Sequence, residues 1–329
     1  MKNVLLIGAG TMGRTHAEAY TAMKEVCLAG IVDSDAAAAE NAAEQFSTRA
    51  FGSYEEAMIE LDTVDVVDIC LPTYLHKEYV LKAADDGKNI ICEKPLAGSL
   101  KDAREMIDYC KEKNIRLFVG HVVRFFPEYA KARQVMELDG LGDIAVVKAS
   151  RISGFPRAWN NWYADYSKSG GLLLDLSIHD FDYLRWCFGE VERVFAKAYA
   201  PESPEGGGYA LTTLTFCNGV IAHVEGSWSH QKFTTSFEIA GTGGIIDYDS
   251  AKDNPIISFK KSADKPAEGV AVPESPLLET PYYRELAHFL SCMESGEEPI
   301  VTAEDAYQAL AISLAAIESS RSGMPVALA

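Results

Sequence analysis

The chain has 329 residues, 48% of them hydrophobic, a formal net charge of −18 and seven cysteines. Its length suits two domains and its hydrophobic fraction an ordinary globular protein, while the negative charge excludes a surface made for nucleic acid or anionic membrane, whose phosphates it would repel. No apolar run approaches the ~18 residues of a membrane span, Met1-Lys2-Asn3 leads into the first strand without a secretory signal, and scattered cysteines with no C-x-x-C pair predict free thiols in a reducing cytoplasm and no metal site.

Val4 to Ile7 is a short apolar run, which reads as a parallel strand buried on both faces. It runs directly into Gly8-Ala9-Gly10-Thr11-Met12-Gly13. In this Gly-x-Gly-x-x-Gly, Gly8 permits a tight turn, Gly10 lets backbone approach a pyrophosphate, and Gly13 lets helix and strand pack closely. The helix opening at Thr11 and Met12 points free N–H groups and a partial positive charge at that phosphate. A second apolar strand, Val26 to Val32, ends in Asp33, about twenty residues past the last glycine, where a ribose-binding acid belongs. A carboxylate there accepts from a ribose 2′-OH and repels a 2′-phosphate. Ser34 to Gln45 hold no Lys or Arg to bind such a phosphate, so NAD is predicted over NADP.

The alternation continues to residue 122. Thr11 to Met23 and Asp35 to Phe46 read as helices, and Thr48 to Phe51 as a short strand. Ser53 and Glu56 have the spacing of a capping box. Val64 to Leu71 is a strand interrupted by Asp65 and Asp68 and stopped by Pro72; a helix, Leu75 to Asp86, ends at Gly87. Asn89 to Cys92 is a strand, Leu100 to Glu112 a helix and Arg116 to Val119 a strand. This pattern predicts a doubly wound parallel sheet, an α/β Rossmann domain over 1–122. Ligands of such sheets sit beyond the carboxyl ends of the strands, which singles out Gly8 to Gly13, Asp33, Leu71 to His76 (with Pro72 and Thr73), Glu93-Lys94-Pro95 and His121 to Arg124.

Residues 123–329 have a different texture. Pro127 to Leu138 and Leu172 to Phe188 read as helices; Ile144 to Ile152, Val194 to Tyr199, Tyr209 to Phe216, Gly219 to Ser227 and Phe233 to Ala240 read as strands. Asn218-Gly219 and Gly241-Thr242-Gly243-Gly244 are hairpin signals. Ser262 to Pro276 is polar and loop-like, and a helix from Ala303 to Arg321 closes the chain. The expectation is an α+β domain with a large, mostly antiparallel open sheet. Its helices are too few to cover it, so a homodimer or homotetramer is predicted.

Two places could carry chemistry. Lys94 follows a strand on the ligand side and could stabilise negative charge on a reacting oxygen; a surface lysine in a βα loop is the alternative. Asp175 and His179 are four apart, on one face of a continuous helix. A carboxylate beside an imidazole orients it and raises its basicity, which suits a general base; a satisfied core histidine is the alternative. His76 suits packing or capping better than catalysis. Phe155, Arg157, Trp159, Asn160, Asn161, Trp162 and Tyr163 form an aromatic, amide-rich loop that fits a sugar or inositol ring, or simply packs. Arg124 and Tyr283 are further substrate-contact candidates.

The glycine turn, Glu93-Lys94-Pro95 and the run from Gly170 to Asp182 together resemble the Gfo/Idh/MocA oxidoreductases, which include glucose–fructose oxidoreductase and inositol dehydrogenase. The resemblance covers nearly the whole chain, through Thr302-Ala303-Glu304-Asp305-Ala306. It implies a Rossmann domain, then a domain whose open sheet often mediates dimers or tetramers. It implies a small-molecule sugar, sugar nucleotide or cyclic polyol as substrate. It also places the roles of substrate-handling lysine and histidine on Lys94 and His179, with Asp175 nearby. Leu172 and Ser177 depart from the glycines that members often carry, which bears on local backbone geometry. Two rivals to an NAD-dependent dehydrogenase are a redox-neutral glycosidase with tightly held NAD and a non-catalytic NAD sensor. Retention of Lys94, Asp175 and His179 together counts against the sensor.

Overall fold

The computed structural model describes residues 1–138, 141–199, 207–252 and 279–328. The chain opens with β1 (Lys2–Ile7), α1 (Thr11–Ala22), β2 (Val26–Val32), α2 (Ala36–Phe46), β3 (Ala50–Phe51), α3 (Tyr54–Glu60), β4 (Val66–Ile69), α4 (His76–Asp85), β5 (Asn89–Glu93), α5 (Leu100–Glu112) and β6 (Leu117–Gly120). All neighbouring strands pair in parallel, in the order β3-β2-β1-β4-β5-β6. Val4, Leu5, Leu6 and Ile7 are buried, as a strand covered on both faces requires. Side chains start the helices: Asp35 accepts from the N–H groups of Ala37 and Ala38, and Ser53 Oγ from that of Glu56. The expected reciprocal bond to Ser53 is displaced by one residue, because Glu56 Oε2 accepts from the Gly52 N–H at 2.9 Å. The strand order reverses between β1 and β4, and a Rossmann sheet binds its ligand at that reversal.

The next stretch contains α6 (Pro127–Glu137), β7 (Ile144–Gly154), α7 (Tyr166–Ser169), α8 (Gly171–Asp175), α9 (Ile178–Phe188), β8 (Val191–Tyr199), β9 (Tyr209–Phe216), β10 (Ile221–Ser227), β11 (Ser229–Gly241) and β12 (Gly244–Asp249). After them come α10 (Pro281–Ser295), α11 (Ala303–Ser322) and β13 (Val326–Ala327). The second sheet runs β12-β11-β7-β10-β9-β8-β13 and is antiparallel except where β7 meets β10. Alternation gives it two unlike faces. Val147, Ala149, Val194, Leu214, Ala222 and Ile239 are buried on one, whereas Leu211, Ile221 and Ile245 are exposed.

Three features depart from the sequence reading. The helix expected from Leu172 to Phe188 is two helices joined at Leu176-Ser177. Both Leu176 and Ser177 direct their N–H groups to the Leu172 carbonyl, so the ladder loses its register there. The joint lies against β10, since a Cβ on Gly226 would stand 2.5 Å from Ser177 Oγ. Second, α7, α10, β12 and β13 were not anticipated. Third, the chain forms two compact units: Met1–Phe125 with the described part of Glu274–Tyr307, and Phe126 onward with Gln308–Ala329. A single cut after residue 122 misses that α10 belongs to the first unit. The cause is apolar: Leu286, Phe289 and Leu290 of α10 share a core with Val4, Tyr20, Phe118 and Phe125. The expected loop from Ser262 to Pro276 lies outside the described residues.

Candidate functional site

The glycine turn has the geometry a dinucleotide needs. Gly8 has φ +104°, and a Cβ there would meet the Cys70 carbonyl oxygen at 2.5 Å. A Cβ on Gly13 would stand 1.8 Å from the Gly8 oxygen. Both glycines are therefore required by the protein itself. Gly10 is different: nothing lies within 4 Å of a Cβ built there. Its bare backbone borders open space at the start of α1, which has neither a side-chain cap nor an acidic residue in its first turn. The N–H groups of Thr11, Met12 and Gly13 open α1 at its positive end, where the first turn of a helix has no carbonyl of its own to bond, and such groups suit a pyrophosphate. Asp33 Oδ2 accepts from the Ala9 N–H at 2.8 Å and Oδ1 from the Asp35 N–H at 2.9 Å, so the carboxylate is fixed beside the turn. Arg14, which the Ser34–Gln45 window did not include, reaches the Ala9 carbonyl and Gln45 Oε1.

Leu71, Pro72 and Thr73 follow β4, across the reversal from this turn. His76 ties that segment to the next crossover, with Nε2 at 2.8 Å from the Leu71 oxygen and Nδ1 at 2.9 Å from the Pro95 oxygen. Burial pushes its imidazole below the ordinary value, so the neutral ring donates to only one of the two carbonyls. Lys94 follows β5 directly, at the sheet edge that carries the glycine turn, and its peptide bond to Pro95 is cis.

Beneath these loops lies a cluster that the sequence reading missed. His16 of α1 is wholly buried between two carboxylates, with Nδ1 2.8 Å from Asp68 Oδ2 and Nε2 3.1 Å from Glu93 Oε1. Tyr20 donates to Asp68 Oδ2 at 2.7 Å. Burial alone would favour the neutral ring, but the negative character of Cys70 and Asp68 holds His16 well above its ordinary value. Because burial also pushes the Cys70 thiol far up and keeps it protonated, the carboxylate is the effective cause. Burial would likewise raise Glu93, yet His16 and Lys94 bring it below its ordinary value. His16, Asp68 and Cys70 place three ligand-type atoms within 4.8 Å of one another, but their hydrogen bonds already join them. The signal available in the sequence was Asp68: a charge inside an otherwise apolar parallel strand needs a buried partner.

The second unit holds Asp175, the last residue of α8, and His179, the second residue of α9. Asp175 is buried and His179 half-buried. Their spacing therefore has to be read across the joint rather than along one helix. The start of α9 is pinned from the other side. Arg151 of β7 binds both oxygens of Asp180, at 2.8 and 3.0 Å, and this pair is nearly inaccessible. Removing one member of such a buried pair typically costs ~3–5 kcal/mol. In the aromatic loop, Asn160 and Asn161 both take left-handed backbone angles. Trp162 and Tyr163 are buried and stacked at 4.0 Å, and Tyr163 also meets Trp228 edge-on. Trp159 is 56% exposed and turns the loop's aromatic surface to solvent.

Two further candidates have structural contacts. Arg124 is 2% exposed and donates to the Ile300 carbonyl at 2.7 Å and Asp305 at 3.3 Å, all within the first unit. Tyr283 packs against the apolar core around α10.

Residues 2–121 match the model of the oxidoreductase family, NAD-binding Rossmann fold, and residues 133–328 that of the oxidoreductase family, C-terminal alpha/beta domain. The NAD(+)-dependent scyllo-inositol 2-dehydrogenase of Bacillus subtilis (strain 168) is 30% identical over 336 residues, covering 98% of this chain and 95% of its own. Myo-inositol 2-dehydrogenase of Thermotoga maritima is 29% identical, covering 95% of each. The solved structure of levoglucosan dehydrogenase with NADH and levoglucosan superposes with a TM-score of 0.83 at 26% identity, over 100% of this chain and 99% of that one. The glycine turn, the reversed strand order and the match over both halves agree: the chain belongs to the Gfo/Idh/MocA oxidoreductases, and its N-terminal part is their NAD-binding Rossmann fold.

Proposed function

We propose that this oxidoreductase is an NAD-dependent dehydrogenase of a sugar, glycoside or cyclic polyol. The observation that carries the reading is Lys94, set at the end of β5 on the edge that bears the glycine turn. The inositol and levoglucosan specificities of similar proteins support the substrate class. NAD, when bound, supplies the hydride acceptor. His179 takes the hydroxyl proton, Lys94 stabilises the oxygen as it gains negative charge, and Asp175 orients the imidazole or holds a substrate hydroxyl. Trp159, Asn161, Trp162 and Tyr163 shape the ring-binding loop, with Trp159 presenting an aromatic face to sugar C–H groups. A panel of inositols, pyranoses and anhydrosugars with NAD, followed by NADH absorbance, tests this. Absorbance that rises with at least one member supports it. Glycoside cleavage without net NADH would replace the dehydrogenase with the redox-neutral glycosidase, and no conversion of any member would overturn both.

NAD should exceed NADP by at least tenfold in kcat/KM, about 1.4 kcal/mol of differential transition-state stabilisation. The fixed Asp33 carboxylate faces a ribose 2′-OH in this reading and repels a 2′-phosphate. Steady-state kinetics with both cofactors decide it. Equal efficiencies would show that Arg14 compensates or that Asp33 does not meet the ribose.

A homodimer or homotetramer fits the second sheet. Its uncovered face carries Leu211, Ile221 and Ile245 among charges of both signs, Lys148, Glu225 and Glu238. Apolar patches of this kind are normally buried by a partner, and mixed charge lets a second copy approach despite the overall −18. Light scattering coupled to size exclusion should give a multiple of 35.9 kDa; a clean monomer at micromolar concentration defeats the idea. Seven free thiols accord with a cytoplasmic enzyme.

A further inference from the structure

Lys94 belongs to the loop after β5, and where its side chain can reach depends on how its backbone is held. What holds it here is Glu93. One oxygen of that carboxylate, Oε2, accepts the Lys94 N–H at 3.0 Å, and the other, Oε1, faces His16 Nε2 at 3.1 Å. Glu93 is 5% exposed, and its partner on the neighbouring strand β6 is Gly120, where a Cβ would come to 3.4 Å from the carboxylate. The opposite nitrogen of His16 is anchored on Asp68, in the middle of the sheet. The two carboxylates only accept, so both of their bonds are made when the ring carries two N–H groups; the Cys70 Sγ lies 3.3 Å from the same Nδ1 that meets Asp68. The raised affinity of His16 for its second proton agrees with that geometry. The chain of contacts is continuous: Asp68, His16, Glu93, then the Lys94 backbone.

We propose that His16 is a positioning residue for Lys94, acting through Glu93. Its place three residues after Gly13 gives it a second consequence: the helix that presents the pyrophosphate site also braces the lysine crossover. NAD binding and substrate handling therefore share one buried strut. The inference rests on the reading of Lys94 as the group that stabilises the substrate oxygen.

The two ring nitrogens can be imitated separately. The amide nitrogen of His16→Gln reaches the position of Nε2 and can donate to Glu93. That of His16→Asn reaches the position of Nδ1 and can donate only to Asp68. Expected for the full-length enzyme, with the best substrate of the panel, is a kcat lowered about 10- to 100-fold in His16→Asn, most of it recovered in His16→Gln, with NAD affinity weakened in neither by more than in Lys94→Ala. In a Lys94→Ala background, His16→Asn should lower the residual rate no further. Melting temperature is followed alongside. A histidine that merely fills space predicts losses that follow melting temperature whichever amide is present, and a further loss in the Lys94→Ala background; either result overturns the proposal. So does near-normal kcat in His16→Asn while Lys94→Ala is severely impaired. Near-normal turnover of Lys94→Ala itself would instead sink the reading of Lys94.

Discussion

His179→Ala is expected to lower turnover by roughly 10²–10⁴-fold, the usual size of a general-base contribution, and to leave NAD affinity almost untouched. The second half follows from the division of the chain: every NAD-binding candidate, from Gly8 to Lys94, belongs to the first unit, whereas His179 begins α9 in the second. Its neighbours in sequence, Ile178 and Asp180, are buried, and Asp180 is clamped by Arg151, so the backbone at His179 has anchors besides the imidazole. Removing the ring should therefore cost little melting temperature. Asp175→Asn, across the joint, should do milder damage, about tenfold. Melting temperature, NAD affinity and turnover are measured on the same preparations. A stable, NAD-binding His179→Ala enzyme with normal turnover removes His179 from the mechanism, and lowered stability with normal turnover makes it a packing residue.

What could be read from sequence and what could not divides along the range of the interactions. Val4 to Gly13 and Asp33 declare a Rossmann turn because their constraints are local: strand burial, one positive φ at Gly8, and a helix packed on a strand at Gly13. The alternating strands of the second half, and the Asn218-Gly219 hairpin, are legible for the same reason. The joint at Leu176-Ser177 was not, because every residue from Leu172 to Phe188 is compatible with one helix, and the cause lies in β10, where Gly226 admits the Ser177 hydroxyl. The assignment of α10 to the first unit was hidden too. Its apolar stripe shows that it packs, but not on which core. His16 was passed over since a lone histidine on a helix says nothing until Asp68 and Glu93, 52 and 77 residues away, are placed against it. Arg124 shows the converse case. A cation after the last strand of a Rossmann sheet looks like a ligand contact, yet its partners are the backbone at Ile300 and the side chain of Asp305.

Lys94→Ala should lower turnover by roughly 10²–10³-fold, the size expected when a group that stabilises developing negative charge is removed. Unlike His179→Ala, it should also weaken the binding of both NAD and substrate, since Lys94 stands on the nucleotide side of the sheet. Lys94→Arg should recover little: the charge returns, but a planar guanidinium cannot take the place of a compact ammonium at a single oxygen. The decisive comparison is the double variant. If Lys94 and His179 serve one proton-transfer event, losing either leaves the other less to contribute, and Lys94→Ala/His179→Ala should be scarcely slower than the worse single variant. Independent groups would instead multiply, to a combined loss of roughly 10⁴–10⁷-fold, the product of the two separate effects. Single-turnover measurements at saturating NAD and substrate separate this chemistry from the weakened binding. Multiplying losses would assign the two residues to different steps, and a Lys94→Ala enzyme that turns over normally would leave Glu93, His16 and Asp68 as a buried support for the fold alone.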